Sequence, residues 1–89
     1  MVEVSVKAVR SYGKWGVGKK GIKIPDKRIY CFLHYRHFDG MTENPDVFVV
    51  PGRIVNQRKK TWHDEWGFYF NKKNIARINM WRDRWDLIY

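Results

Sequence analysis

Residues 28–38, Arg-Ile-Tyr-Cys-Phe-Leu-His-Tyr-Arg-His-Phe, are the most β-prone run of the chain. Period-two spacing puts Ile29, Cys31, Leu33 and Tyr35 on one face and Tyr30, Phe32, His34 and Arg36 on the other. Both faces are largely apolar, so an interior strand is expected. Residues 47–50, Val-Phe-Val-Val, make a short continuous apolar run of the kind covered on both sides. Phe38-Asp39-Gly40 and Glu43-Asn44-Pro45-Asp46 supply turn residues between the two runs, which are therefore expected to pair as neighbours.

Outward from this pair, residues 2–10 alternate, with Val2, Val4, Val6 and Ala8 on one face and Glu3, Ser5, Lys7 and Val9 on the other. That pattern predicts a half-buried strand. Residues 11–23 carry four glycines among lysines and aromatics, which opposes a helix and predicts a flexible loop or open hairpin. Pro51-Gly52 stops the apolar run, and residues 53–60 read as a short helix with Ile54 and Val55 inward and Lys59 and Lys60 exposed at its end. Trp62 and Trp66 fit one helical turn, Gly67 breaks it, and residues 68–70 read as a last strand. Asn71 to Asn74 is a polar turn. Ile75, Ile78, Trp81 and Trp85 recur at near-helical spacing, predicting a terminal or broken helix whose tryptophans pack on the sheet. The expected class is α+β: a mixed or mainly antiparallel sheet of about four strands with one or two short helices.

The chain has 89 residues, enough for one small domain. Five Trp, five Tyr and five Phe must supply its core, because the single cysteine allows no disulfide within a monomer. No run approaches the ~18 apolar residues of a membrane span, and the N-terminus alternates where a leader would be continuously apolar. The expectation is an intracellular protein, cytoplasmic or nucleoid-associated, without a membrane partner.

Charge narrows the partners. Eighteen Lys and Arg against nine Asp and Glu leave a net charge of +9, a field that draws polyanions. The excess is spread over both halves of the chain, so it belongs to the folded domain. Between residues 4 and 25 lie Lys7, Arg10, Lys14, Lys19, Lys20 and Lys23 with no acid among them; Arg58, Lys59 and Lys60 form a second group. Trp15 and Tyr12 sit within the first group, where rings can stack on bases while lysines neutralise phosphates. Trp15 has a second reading, as a residue folded back to cap the core. The candidate nucleic-acid contacts are thus Lys7, Arg10, Lys14, Trp15, Lys19, Lys20, Lys23, Arg58, Lys59 and Lys60. DNA is expected ahead of RNA, with little sequence preference, since no recognition-helix motif is visible. An acidic protein surface is the other partner class.

Other constellations carry less. The glycines lack the Gly-Lys-Ser/Thr end and following helix of a phosphate loop. Cys31, His34 and His37 have metal-like spacing, but on a strand His34 points away from the other two, so no metal site is expected. His63-Asp64-Glu65 reads as a solvated turn, and an interior strand buries Cys31 rather than activating it.

Three stretches in this order resemble the C-terminal half of a PD-(D/E)XK nuclease-like domain, the restriction-endonuclease-like superfamily. They are Val4-Ser5-Val6-Lys7-Ala8-Val9-Arg10, similar to the strand bearing that family's catalytic lysine; Tyr30 to Leu33 with Pro45-Asp46-Val47-Phe48-Val49-Val50-Pro51, similar to the following strand pair; and Asp83-Arg84-Trp85-Asp86-Leu87-Ile88. The resemblance implies a truncated form of that core. Metal-dependent cleavage there needs an aspartate on a preceding strand and an acid or amide two residues before the lysine. The chain begins at the lysine strand, and Ser5 stands two before Lys7. Glu3 is four strand residues from Lys7, roughly 13 Å along the backbone. The expectation is a non-catalytic binding module, with no cofactor. Two alternatives stay open. One is a small viral or mobile-element inhibitor of a host nuclease or nucleic-acid-handling complex. The other is a nuclease fragment completed by another chain, a homodimer included, in which Lys7 and Glu3 would act with Mg²⁺.

Overall fold

The computed structural model describes residues 3–9, 13–35, 45–71 and 73–89, with the backbone alone at Trp62 and Ile75. Val2, Arg10, Tyr12, His37 and the expected turn over residues 38–44 lie outside the described residues. The order of elements is β1 (Val4–Val9), β2 (Gly13–Lys19), β3 (Ile29–His34), β4 (Asp46–Pro51), α1 (Gly52–Arg58), β5 (Lys60–Trp62), β6 (Glu65–Phe70) and α2 (Ile75–Ile78). Two single 3₁₀ turns follow, Asn79–Trp81 and Trp85–Leu87. The class is α+β. Its strands divide into two three-stranded sheets, ordered β1-β3-β4 and β2-β6-β5.

β3 is the interior strand of the first sheet, parallel to β1 and antiparallel to β4. Both its faces are covered. Tyr30 and Phe32 point into the main core, while Ile29 and Cys31 join Val49 in a smaller cluster under Val47, Leu87 and Ile88. The C-terminal segment is held over β4 by Arg82, whose Nη1 donates to Asp46 Oδ1 at 2.6 Å, and by Asp83 N–H donating to the Val47 carbonyl at 2.9 Å.

The glycine-rich segment forms a strand rather than a loop. Trp15 and Val17 anchor it, because both are buried in the main core, and burying an indole offsets the low strand propensity of the glycines around it. A bulge between Gly16 and Gly18 shifts the register against β6, and Gly18, at φ +145°, supplies a backbone that other residues resist. The Trp15 ring stacks on Phe70 at 3.8 Å and on Phe32 of the first sheet at 4.7 Å, so aromatic rings join the two sheets.

Three further expectations change. On β1 the face expected to be buried is open: Val4 is 41% and Val6 60% exposed, while Ser5, Lys7 and Val9 turn toward the main core. Alternation alone says which residues share a face; which face is covered depends on the neighbours, and on this edge strand Val9 packs against the main core. The helix ends at Arg58 instead of continuing to Lys60, since Lys60 already pairs with Gly67. Residues 60–66 form a tight hairpin, not a helical turn, with His63 at φ 53° between β5 and β6. Pairing of β6 on both edges overrides the i, i+4 tryptophan spacing. Of those tryptophans, Trp81 is buried, Trp66 half-buried and Trp85 exposed.

Candidate functional site

α1 begins at Gly52, which lies against the backbone of residues 25–28 with its N–H donating to the Arg28 carbonyl at 2.6 Å. Asn56 fixes the helix to the same segment: its Nδ2 donates to the Ile24 carbonyl at 2.9 Å and to Asp26 Oδ1 at 2.7 Å. The chain then turns at Lys59 into β5, which meets β6 only as far as Gly67. Residues 68–70 of β6 therefore continue past the start of β5, with no strand on that side among the described residues. After β6 the chain doubles back through a reciprocal asparagine turn. Asn71 N–H donates to Asn74 Oδ1 at 2.6 Å, and Asn71 Oδ1 accepts from the N–H groups of Lys73 and Asn74. This turn launches α2 alongside the open part of β6.

Between the end of α1 and α2 lies a cleft of about 360 Å³. Arg58, Lys59, Lys60 and Arg77 line it, with the side-chain amides of Gln57 and Asn74. Phe68 and Ile78, both buried, form its floor, and the half-buried ring of Tyr69 forms a wall. No carboxylate lines it among the described residues. Lys59 is held in place: its Nζ donates to Asn56 Oδ1 at 2.6 Å and lies 4.8 Å from the centre of the Trp66 ring. Arg58, Lys60 and Arg77 have no ion-pair partner among the described residues. Four cations around one recess repel each other, and a bound polyanion relieves that repulsion.

The first basic group is placed differently. Lys14 Nζ lies 3.7 Å from Glu65 Oε2, Lys19 is paired with Glu65 along the strands, and Lys20 N–H donates to the Asp64 carbonyl at 2.6 Å. A stretch free of acids in sequence thus meets the Glu65 carboxylate in space, while its contact with Asp64 is between main-chain atoms. Lys23 is in an exposed connection, and Lys7 is half-buried on β1, which borders β2 rather than the cleft. Trp15 is fully buried and is not a surface ring. Lys59 is half-buried, not exposed. Of the candidate contacts among the described residues, only Arg58, Lys59 and Lys60 come together in the cleft; Arg10 lies outside them. Arg77, Tyr69, Gln57 and Asn74 were missed. Arg77, on the terminal helical segment, and Asn74, in the polar turn just before it, carried a signal that the Ile and Trp spacing overshadowed.

Glu3 is committed elsewhere, since its Oε1 accepts from Arg28 Nε at 2.9 Å and Nη2 at 2.7 Å. His34 is buried with its ring edge-on to Phe70 at 5.0 Å, and Cys31 is on the opposite face of β3. No group of three or more metal-ligating side chains occurs among the described residues. None of their helices is long and apolar enough to cross a membrane. Comparison with protein-family models, curated proteins and solved structures finds no match to the chain.

Proposed function

We propose that this domain is a non-catalytic nucleic-acid-binding module whose phosphate contacts are centred on the cleft between α1 and α2. One observation carries the reading: Arg58, Lys60 and Arg77 converge on one recess that no carboxylate lines among the described residues. A net charge of +9 adds a long-range field that draws a polyanion toward it. Contacts of this kind go to phosphate and carry little sequence information. Binding by fluorescence anisotropy, against DNA, RNA and an acidic polypeptide over a range of salt, tests it. Nucleic-acid affinity should fall steeply with salt, by a slope of about −0.9 per duplex phosphate contact or −0.7 on single strands. No binding to either nucleic acid at low salt rejects the reading; binding to the acidic polypeptide alone favours the inhibitor class instead. The resemblance to a truncated nuclease-like core is part of the same proposal, with Lys7 as a residue that touches phosphate rather than one that cuts.

A further inference from the structure

Resting on that nucleic-acid reading, we infer that the cleft takes an unpaired nucleotide of a single strand, with its base against the ring of Tyr69. Three features converge on this. The first is size. About 360 Å³ is near the lower end of small-ligand pockets, roughly 300–1,000 Å³, whereas a duplex presents grooves about 6 to 12 Å wide with every base already stacked. An unstacked base enters such a recess; a paired one does not.

The second is chemistry. Phosphate needs only the cations, yet the recess also holds the amides of Gln57 and Asn74, an aromatic wall and an apolar floor. Those are the groups that meet a base and its sugar. Gln57 makes no side-chain hydrogen bond among the described residues; Asn74 Oδ1 already accepts from Asn71 N–H at 2.6 Å, and its Nδ2, which donates weakly to the Tyr69 carbonyl at 3.4 Å, is the atom left for a ligand.

The third is the ring's seat. A Cβ on Gly67 would stand 3.1 Å from Tyr69 Cε2 and 2.9 Å from Lys14 Cδ, so the ring leans over a position kept bare by glycine. Gly67 pairs with Lys60, which places the ring beside a phosphate-binding cation. A base stacked on Tyr69 would occupy the same recess that Lys60, Arg58 and Arg77 line, and its own phosphates are what those cations would meet. Stacking is tolerant of base identity, which matches weak sequence preference.

The test is an anisotropy titration at one low salt concentration with labelled oligo-dT, oligo-U and a duplex of equal length, with inorganic polyphosphate as competitor. The expected result is single-strand binding at least about tenfold tighter than duplex binding. Tyr69→Leu should lose about five- to hundredfold on single strands, with duplex affinity unchanged, and Tyr69→Phe should retain it. Circular dichroism checks that each variant folds. Should Tyr69→Leu not fold, photocrosslinking of wild type to iodouracil-substituted oligonucleotide replaces it, with the crosslink expected at Tyr69. Equal or tighter duplex binding, equal losses on both substrates, displacement by polyphosphate as strong as by oligo-dT, or a crosslink elsewhere overturns the inference while nucleic-acid binding stands. Absence of binding to every nucleic-acid probe overturns both.

Discussion

The indole Nε1–H of Trp15, on β2, donates to the carbonyl of Leu33, on β3, at 3.0 Å, a hydrogen bond between the two sheets. With its ring between Phe70 and Phe32, Trp15 joins the sheets by stacking and by direction at once. The hydrogen bond satisfies a donor that burial would otherwise leave costly.

Trp15→Ala should therefore cost about 3–5 kcal/mol, a large share of the stability of a small domain. Trp15→Phe keeps a ring and loses the donor, and should cost about 1–3 kcal/mol in urea denaturation. Nucleic-acid affinity of folded Trp15→Phe should equal that of wild type, because the ring has no exposed face.

Charge removal separates the two basic groups. Arg58→Ala and Arg77→Ala should each weaken binding several-fold and reduce the magnitude of the salt slope by about 0.7–0.9, the signature of one lost phosphate contact. Lys14→Ala should change both much less, since Glu65 lies 3.7 Å from its ammonium. Equal effects at all three positions would mean that the whole surface binds diffusely.

No cleavage of DNA or RNA is expected with Mg²⁺ or Mn²⁺. Ser5 stands where the nuclease-like pattern has a carboxylate or amide, and the Glu3 carboxylate is ion-paired with Arg28. Lys7→Ala should leave the circular dichroism spectrum intact. Metal-dependent cutting lost in both Lys7→Ala and Glu3→Ala would identify an enzyme.

Much of the fold was legible where one rule acted alone. β3 and β4 were visible as a pair, because apolar residues on both faces of a run leave few options besides an interior strand. β2 was not, since its glycines hide a strand whose formation depends on a tryptophan buried by residues from 17 to 55 positions away in sequence, Phe32, Phe48, Phe68 and Phe70. β1 shows the same limit: period two gave its faces, and only the packing of Val9 against the main core told which one is covered. The cleft was half legible. Arg58, Lys59 and Lys60 are contiguous, but Arg77 and Tyr69 reach it only through the turn at Asn71 and the early start of β5.

Burial pushes the Cys31 thiol above its ordinary range. Below about pH 8.5, the usual thiol value, both folded and unfolded chains hold the proton and the group contributes no pH dependence. Above it the unfolded chain releases its proton while the native one keeps it, so stability should fall with rising pH. Cys31→Val should remove that component from the pH profile of denaturation. Thiol labelling of the native protein at pH 8 should be far slower than in denaturant.

Gly52→Ala should be among the more damaging small substitutions. Its Cβ would meet the carbonyl oxygen of Pro25, with those of Arg28 at 2.9 Å and Asp26 at 3.3 Å, all backbone atoms with little room to move. A loss of about 1–3 kcal/mol is expected by thermal or urea denaturation. The cleft should loosen with it, because α1 sets the position of Arg58.

The two sheets are interleaved along the chain, with β2 of the second lying between β1 and β3 of the first. A scission within residues 20–28 would thus dismember both sheets at once, and neither resulting fragment would hold a whole one. The β5–β6 hairpin and the β3–β4 pair join consecutive strands, whereas the partners of β2 lie about fifty residues downstream. Such distant closures must precede most of the rewarding contacts, which places this chain among millisecond-to-second folders despite its brevity. During synthesis, Trp15 meets Phe32, Leu33 and Phe48 first and lacks Phe68 and Phe70 until β6 emerges, so the nascent chain leaves part of that ring open to misassociation.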